Sequence, residues 1–232
     1  MTNVNNMWKK RRRIEYLQKR ESFYIFTEGQ QTEPNYFQAF KKIIEQNPIY
    51  KSMIYIDIQP CQAETLRVLK NAEVYIKEHN IKSGSIWCVY DKDDFPNSDY
   101  NSVVYKILNL NNKQSEIQYH AIWSNQCFEF WYLLHFENYT SNTHRNQYYD
   151  FLNHKLMMYK LGKYEKNSTQ MFDILLDYGN PKKAIRFAKN IIARNKQYEF
   201  SAPHKIAPGT KVYELVEALV QYFPEDIKTK FI

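Results

Sequence analysis

Residues 23–40 predict a strand, a tight turn and a helix in immediate succession. Residues 23–26 are an unbroken apolar and aromatic run, which is typical of a strand buried on both faces. The turn contains Gly29, and Thr32 follows as the predicted N-cap of a helix whose first turn carries an acid and a proline. In open α/β sheets, ligands and active sites lie at the carboxyl ends of the strands. Glu28 is therefore predicted to lie at the carboxyl end of a sheet strand.

The same order of strand and helix recurs along the first half of the chain. Further strands are predicted at 52–58, 85–90 and 117–123, and helices at 62–79, 100–110 and from residue 128. This alternation predicts βαβ units and a mostly parallel central sheet flanked by helices, which is an α/β fold. From about residue 138 the pattern is helical only. Three helices are predicted there, near 146–160, 182–196 and 210–222, and Thr210 is the expected cap of the last.

Three regions follow from this pattern: a basic amino-terminal arm (1–20), an α/β domain (21–137) and a helical carboxyl-terminal extension (138–232) packed on the same core. A chain of 232 residues with 44% hydrophobic residues can bury one sizeable core. The arm carries a run of five Lys and Arg residues at 9–13. We interpret this run as a solvated segment, with contact to a phosphate backbone as the alternative.

Charge and cysteine content suggest the partners and the compartment. Lys and Arg number 32 and Asp and Glu number 25, a net charge of +7, which favours polyanionic partners such as nucleic acid but also fits an ordinary basic protein. The three cysteines lack C-x-x-C spacing, and Cys88 and Cys127 lie in apolar runs, so we expect buried thiols in a reducing cytoplasm. No apolar stretch approaches the ~18 residues that span a bilayer, so no membrane association is expected.

Acidic residues follow two of the predicted strands. Glu28 follows the first strand, and Asp91, Asp93 and Asp94 follow the strand at 85–90. Parallel strands end at the same edge of a sheet, so these carboxylates can converge, and such a cluster is unfavourable without a cation. Carboxylate oxygens select Mg²⁺ or Mn²⁺, so these acids are a candidate site for such a cation. The alternative is that the aspartate-rich segment 91–94 only forms a turn, because aspartate favours turns. Hydrolysis of a phosphodiester needs a cation and a group that moves a proton, and Glu28 is placed for the latter.

Four segments resemble a known family, and they are spread along the chain over roughly residues 21–220. They are EGQQTEPNYF (28–37), VYDKDDF (89–95), SNQCFEFWYLLHF (124–136) and APGTKVYELVEAL (207–219). Glu-Gly followed about sixty residues later by D-x-D resembles the topoisomerase–primase (TOPRIM) domain. The four segments in this order resemble the RloB family, which is similar to the second component of AbiL-type abortive-infection systems. At 125–126 and 207–208 this chain has Asn-Gln and Ala-Pro where the family usually has Asn-Pro, which leaves the shape of both loops in question.

The resemblance implies a TOPRIM-like fold and a metal-dependent nuclease of prokaryotic anti-phage defence, often encoded beside an AAA-type ATPase. Glu28 would be the general acid or base, Asp91 and Asp93 would hold Mg²⁺ or Mn²⁺, and Asp94 would be a third ligand or an outer-shell partner. The substrate, whether tRNA, another RNA or DNA, and assembly into a homo-oligomer stay open. The alternative is a non-catalytic nucleic-acid-binding or regulatory subunit of an ATPase-containing defence complex.

Two further residues lie in the aromatic segment 128–136. Glu129 is flanked by aromatic residues, an expensive setting for an unpaired charge. It either points at the acidic site as a metal ligand or outer-shell partner, which the family motif favours, or caps the helix that begins there. We interpret His135 as a structural histidine with its hydrogen bonds satisfied.

Basic residues of the carboxyl-terminal region are candidate contacts for a nucleic-acid backbone. A solvated helix face is the ordinary interpretation of such a pattern, and binding is the alternative. The candidates are Lys182, Arg186, Lys189 and Lys196 on one face of the helix at 182–196, and Lys160 and Lys163 before it.

Overall fold

A computed structural model describes residues 20–62, 64–113 and 115–232 of the chain. The basic arm predicted at 1–20 therefore lies outside the described residues except for Arg20, whose guanidinium donates to the carbonyls of Lys51 and Ile54 at 3.0 and 3.1 Å. No helix in the described part is long and apolar enough to cross a membrane.

The centre of the molecule is one five-stranded sheet with the order β2-β1-β3-β4-β5. The strands are β1 (Glu21–Thr27), β2 (Ile54–Pro60), β3 (Gly84–Asp91), β4 (Ile117–Asn125) and β5 (Gly209–Thr210). The first four strands run parallel, and β5 pairs antiparallel with the end of β4. The predicted α/β fold with a mostly parallel central sheet is confirmed.

Ten α-helices flank this sheet within the described ranges. They are α1 (Thr32–Gln46), α2 (Pro48–Met53), α3 (Thr65–Glu78), α4 (Asn97–Asn111), α5 (Glu129–Leu133), α6 (Arg145–Met158), α7 (Met171–Tyr178), α8 (Pro181–Arg194), α9 (Val212–Val220) and α10 (Glu225–Lys228). Short 3-10 helices lie at Lys196–Tyr198 and Pro203–Lys205.

Several local predictions were wrong. The strand expected at 52–58 begins later, because Pro48 starts α2 and Asn47 caps it by accepting from the Ile49 N–H at 2.9 Å. Thr32 is not the N-cap of α1 but its first residue, and its hydroxyl donates to a carbonyl elsewhere in the chain. Residues beyond 138 are not helical only, since they include β5, and they form five α-helices rather than three. Thr210 belongs to β5, from which its hydroxyl accepts the Val212 N–H at 3.2 Å.

Aromatic rings fill the core between α1 and the helices packed on it. Tyr36 of α1 lies 5.7 Å from the Phe128 ring, 5.6 Å from Tyr132 and 5.9 Å from Phe172 of α7. The Trp131 indole of α5 donates to the Tyr36 hydroxyl at 3.0 Å. This cluster fixes the start of α1 and the start of α5 beside each other, next to the ends of β1 and β3.

The carboxyl-terminal region contributes rings to the same core. Phe223 and Phe231 lie 5.2 and 6.1 Å from Phe40 of α1.

Cys88 and Cys127 are buried free thiols, as predicted. The peptide bonds 125–126 and 207–208, where the sequence departs from the family pattern, are cis. The division into three regions stays a prediction.

Candidate functional site

A cleft of about 390 Å³ opens beyond the ends of β1 and β3. Loop residues after β1, the first turn of α1, the end of β3 and the start of α5 line it. Five carboxylates are among the described residues that line this cleft: Glu28, Glu33, Asp91, Asp93 and Glu129. The structure therefore brings the acids after two separate strands to one place.

Glu28 is the first residue after β1, and its backbone N–H donates to the Val89 carbonyl at 2.9 Å. Its carboxylate accepts hydrogen bonds from the Asp91 backbone N–H at 3.1 Å and from the Thr65 hydroxyl at 3.5 Å. Burial raises the pKa of Glu28 to about 8, against the lowering effect of the Asp91 N–H, and the nearby charge of Asp93 adds to the rise. Glu28 and Asp91 are thus joined directly where β1 and β3 end.

Asp91 is the last residue of β3 and is half-buried. Its Oδ2 accepts from the Phe128 backbone N–H at 3.1 Å, while its Oδ1 is buried and has no hydrogen-bond partner within the described ranges. Burial raises the pKa of Asp91 well above its usual range, and the charges of Glu33, Asp93 and Glu28 raise it further. A buried oxygen without a donor is costly, and a hard divalent cation is a partner that suits it.

Glu33 is a cleft residue that sequence reasoning treated only as a first-turn acid of α1. It is 5% exposed, and its carboxylate accepts from the Gly29 N–H at 3.3 Å. Burial raises the pKa of Glu33 to about 7, and the charge of Glu129 adds to this against the effect of backbone N–H groups. A Cβ at Gly29 would collide with this carboxylate, so the turn needs glycine there. The five-residue distance from Glu28 was the signal that could have pointed to Glu33.

Glu129 lines the cleft from the start of α5 and is 2% exposed. Of the two interpretations given above, the structure supports the one in which Glu129 faces the acidic site. The helix-capping position belongs to Phe128, for which the described residues supply no side-chain cap. The Tyr164 hydroxyl donates to the Glu129 carboxylate at 2.7 Å, which gives the buried charge a partner.

Lys166 is the only basic residue among the described residues that line the cleft, and no pattern in the sequence indicated it or Tyr164. Both follow α6, and the Thr32 hydroxyl holds this segment by donating to the Lys166 carbonyl at 3.2 Å. Burial would lower the pKa of Lys166, but hydrogen bonding with Tyr149 and the charge of Glu129 raise it. The Lys166 ammonium group thus adds one positive charge to a cleft that is lined by five acidic residues.

The aspartates after Asp91 form a turn and an ion pair. Asp93 lines the cleft, has a positive φ of 39°, and its Oδ1 lies 2.6 Å from Nη1 of Arg145 at the start of α6. The Asp94 side chain is 69% exposed and is not among the cleft residues, and it lies 2.6 Å from Nη2 of the same guanidinium. The Phe95 N–H donates to the Lys92 carbonyl at 3.2 Å, so this segment is also the turn that its composition indicated.

The side-chain oxygens that line the cleft are of the type that binds a hard divalent cation. These oxygens come from carboxylates, and the buried Oδ1 of Asp91 lacks a partner in the described part of the chain. The side chains are not arranged as a ready site, since no group of three or more His, Cys, Asp or Glu residues in the described ranges could hold a metal ion as placed. Because Arg145 pairs with Asp93, sharing one cation requires side-chain rotation at this position.

The remaining predicted residues lie elsewhere. His135 is buried, and its Nδ1 donates to the Trp131 carbonyl at 3.0 Å. Its Nε2 is one of the unpartnered buried atoms in the described part of the chain, so the interpretation that its hydrogen bonds are satisfied was wrong for this atom. The basic candidates are exposed, and their binding role stays a prediction. Lys182, Arg186 and Lys189 lie on α8, where Lys189 pairs with Glu217 at 2.6 Å, Lys196 lies in a 3-10 helix, and Lys160 and Lys163 follow α6.

Comparison with models of protein families gives a match over most of the chain. A family model described as RloB-like protein matches residues 23–219. No curated protein and no solved structure matches the chain. The matched range contains every residue that lines the acidic cleft.

Proposed function

The chain belongs to the RloB-like protein family, and on that premise we propose that it is a metal-dependent nuclease. It would hydrolyse phosphodiester bonds of RNA or DNA as the effector of a prokaryotic anti-phage system, with an AAA-type ATPase as its partner. The observation that carries the proposal is the buried, unpartnered Oδ1 of Asp91 beside Glu28 in the described acidic cleft. Carboxylates that line one cleft repel one another when charged, and a cation among them relieves this repulsion.

Asp91 and Glu33, joined by Asp93 once it is free of Arg145, would hold Mg²⁺ or Mn²⁺. When bound, the cation would neutralise charge that develops on the phosphate. Glu28 would hold or move a proton at the attacking water or the leaving oxygen, because the Asp91 N–H and the Thr65 hydroxyl orient its carboxylate in the cleft. Glu129, fixed by Tyr164, would serve as an outer-shell partner or a further ligand.

The test is cleavage of labelled RNA and DNA oligonucleotides in Mg²⁺, Mn²⁺ or EDTA by the wild type, by Glu28→Gln and by a control variant. Glu78→Gln is the matched control, since Glu78 is an exposed glutamate at the end of α3. We expect metal-dependent cleavage that falls about 100-fold or more in Glu28→Gln and is unchanged in Glu78→Gln. A Glu28→Gln variant that cuts at the wild-type rate would remove Glu28 from the mechanism.

One observation favours a second candidate, the non-catalytic nucleic-acid-binding or regulatory subunit. The 2.6 Å ion pair between Arg145 and Asp93 occupies a carboxylate that the cation would need. Arg145→Gln separates the two candidates in the same assay. Cleavage that appears or increases in Arg145→Gln supports the nuclease, and binding without cleavage by both the wild type and Arg145→Gln, in either metal, supports the regulatory subunit.

A further inference from the structure

The segment at 159–170, here called the α6–α7 loop, combines basic and aromatic residues beside the cleft. It is attached to α1 at two points, since the Thr32 hydroxyl donates to the Lys166 carbonyl at 3.2 Å and the Asn35 amide donates to the Asn167 carbonyl at 3.1 Å. The Tyr164 N–H donates to the Asn153 side chain of α6 at 2.7 Å. The loop is therefore held against the first turn of α1 and the body of α6.

Lys166 gives the acidic cleft a contact for an anion. Five carboxylates repel a polyanion, so a phosphate approaching them needs a positive group nearby. The Lys166 side chain is exposed, and its Nζ lies 5.2 Å from the centre of the Tyr149 ring. The contacts that attach the loop to α1 use loop backbone carbonyls and the Tyr164 hydroxyl, so they do not involve the Lys166 ammonium group, which contacts Tyr149 and is exposed enough to meet a phosphate as well.

A second groove, of about 340 Å³, lies along the same loop. Tyr164 connects the two sites, since its hydroxyl binds Glu129 of the cleft and the residue also lines the groove. The groove has an apolar side formed by aliphatic and Met side chains of α6 and α7, and a polar side formed by residues 167–170 with their amide and hydroxyl groups. Lys163 lies at this groove as well. Apolar surface next to amide and hydroxyl groups is what an unpaired base requires, because its face stacks and its edge forms hydrogen bonds.

We propose that the α6–α7 loop binds a single-stranded nucleic acid, with Lys166 on the phosphate that enters the cleft and the adjoining base in the groove at residues 163–170. This inference rests on the proposed function and adds the substrate class, unpaired RNA or DNA. A paired base cannot enter the groove, since its edge is occupied by its partner. Duplex nucleic acid is therefore bound more weakly.

The experiment measures fluorescence anisotropy of a labelled single-stranded oligonucleotide and of its duplex, both in EDTA so that binding is read without cleavage. Lys166→Gln removes the charge, Lys166→Arg keeps it, and Thr169→Trp fills the groove without changing the charge. Lys42→Gln, an exposed lysine of α1, is the matched control.

We expect the wild type to bind the single strand at least about tenfold more tightly than the duplex. Lys166→Gln should weaken binding about fivefold or more and reduce the slope of log K against log salt by about one, and Lys166→Arg should restore both. Thr169→Trp should weaken binding of the single strand with an unchanged slope, and Lys42→Gln should match the wild type.

Equal affinity for single strand and duplex, or unchanged binding by both Lys166→Gln and Thr169→Trp, would overturn the inference. The two proposals fail separately. Metal-dependent cleavage together with unchanged binding by these variants would keep the nuclease and reject the loop as its substrate site. Loop-dependent binding by a protein that cuts neither RNA nor DNA would keep the loop as a nucleic-acid-binding site and reject the nuclease.

Discussion

His135 gives the structure a specific sensitivity to acid. The residue is 3% exposed, its ring lies edge-on to Trp131 with 4.9 Å between ring centres, and its Nε2 is buried without a partner in the described part of the chain. Burial lowers the pKa of His135 to about 4, while the Trp131 carbonyl that accepts from Nδ1 opposes this only in part. The folded protein therefore holds His135 neutral where the unfolded chain takes up a proton.

The pKa difference sets the size and the pH window of the effect. The ordinary pKa of 6.5 applies to the unfolded chain, and the folded value is about 4. The stability from a neutral His135 is complete above pH 6.5 and is lost as the pH falls to about 4, because only the unfolded state binds the proton in that interval. A difference of about 2.5 pH units at about 1.36 kcal/mol each is about 3 kcal/mol in total, of which about 2 kcal/mol is lost between about pH 7 and pH 4.5.

The assay is urea denaturation of the wild type, His135→Asn and His154→Asn at pH 7 and pH 4.5. Asparagine at 135 cannot titrate but can still donate to the Trp131 carbonyl, and His154 is an exposed histidine of α6. Between these pH values the wild type and His154→Asn should each lose about 2 kcal/mol more stability than His135→Asn. His120, whose pKa burial also lowers to about 4, is common to all three proteins and cancels. Equal losses in all three would refute the reasoning.

Three further substitutions test the packing by urea denaturation at neutral pH. Gly179→Ala should lower the free energy of unfolding by about 2 kcal/mol, because a Cβ there would lie 2.7 Å from a backbone carbonyl of α7. An unchanged free energy of unfolding would contradict this close approach. Lys211→Met should cost about 3 kcal/mol, since it leaves Glu199 and Glu214, each 2.8 Å from the ammonium group, without their partner, and a loss below about 1 kcal/mol would contradict this. Trp131→Phe should cost about 1–2 kcal/mol through the lost 3.0 Å hydrogen bond to a buried tyrosine, and an unchanged midpoint would argue against that bond.

Local pattern was enough to predict the sheet and the two acids nearest its edge. The strands that end just before Glu28 and at Asp91 are short apolar runs followed by polar residues, and this contrast is visible without any tertiary information. Parallel strands then place the two ends together, as the 3.1 Å hydrogen bond between these residues shows. The two-residue strand β5 is too short to have a period, so its position at 209–210 was not predictable from pattern.

The rest of the cleft depends on contacts between distant parts of the chain. Tyr164 and Lys166 reach the site only because the loop that carries them packs on Thr32, more than 130 residues earlier in the sequence. Arg145 meets Asp93 across about fifty residues for a similar reason. The resemblance to the RloB family suggested Glu129, but pattern alone could not choose between a capping residue and a cleft residue. Tertiary packing decided each of these positions.

Binding of a divalent cation by the acidic cleft tests the central claim most directly. Calorimetric titration with Mn²⁺ should be carried out on the wild type, on Asp91→Asn and on Asp226→Asn, an exposed aspartate of α10. We predict one saturable site in the wild type and in Asp226→Asn, and at least about 100-fold weaker binding in Asp91→Asn, because the substitution removes the negative charge of the buried carboxylate. Absence of saturable binding by the wild type, or equal affinity in Asp91→Asn, would contradict the account.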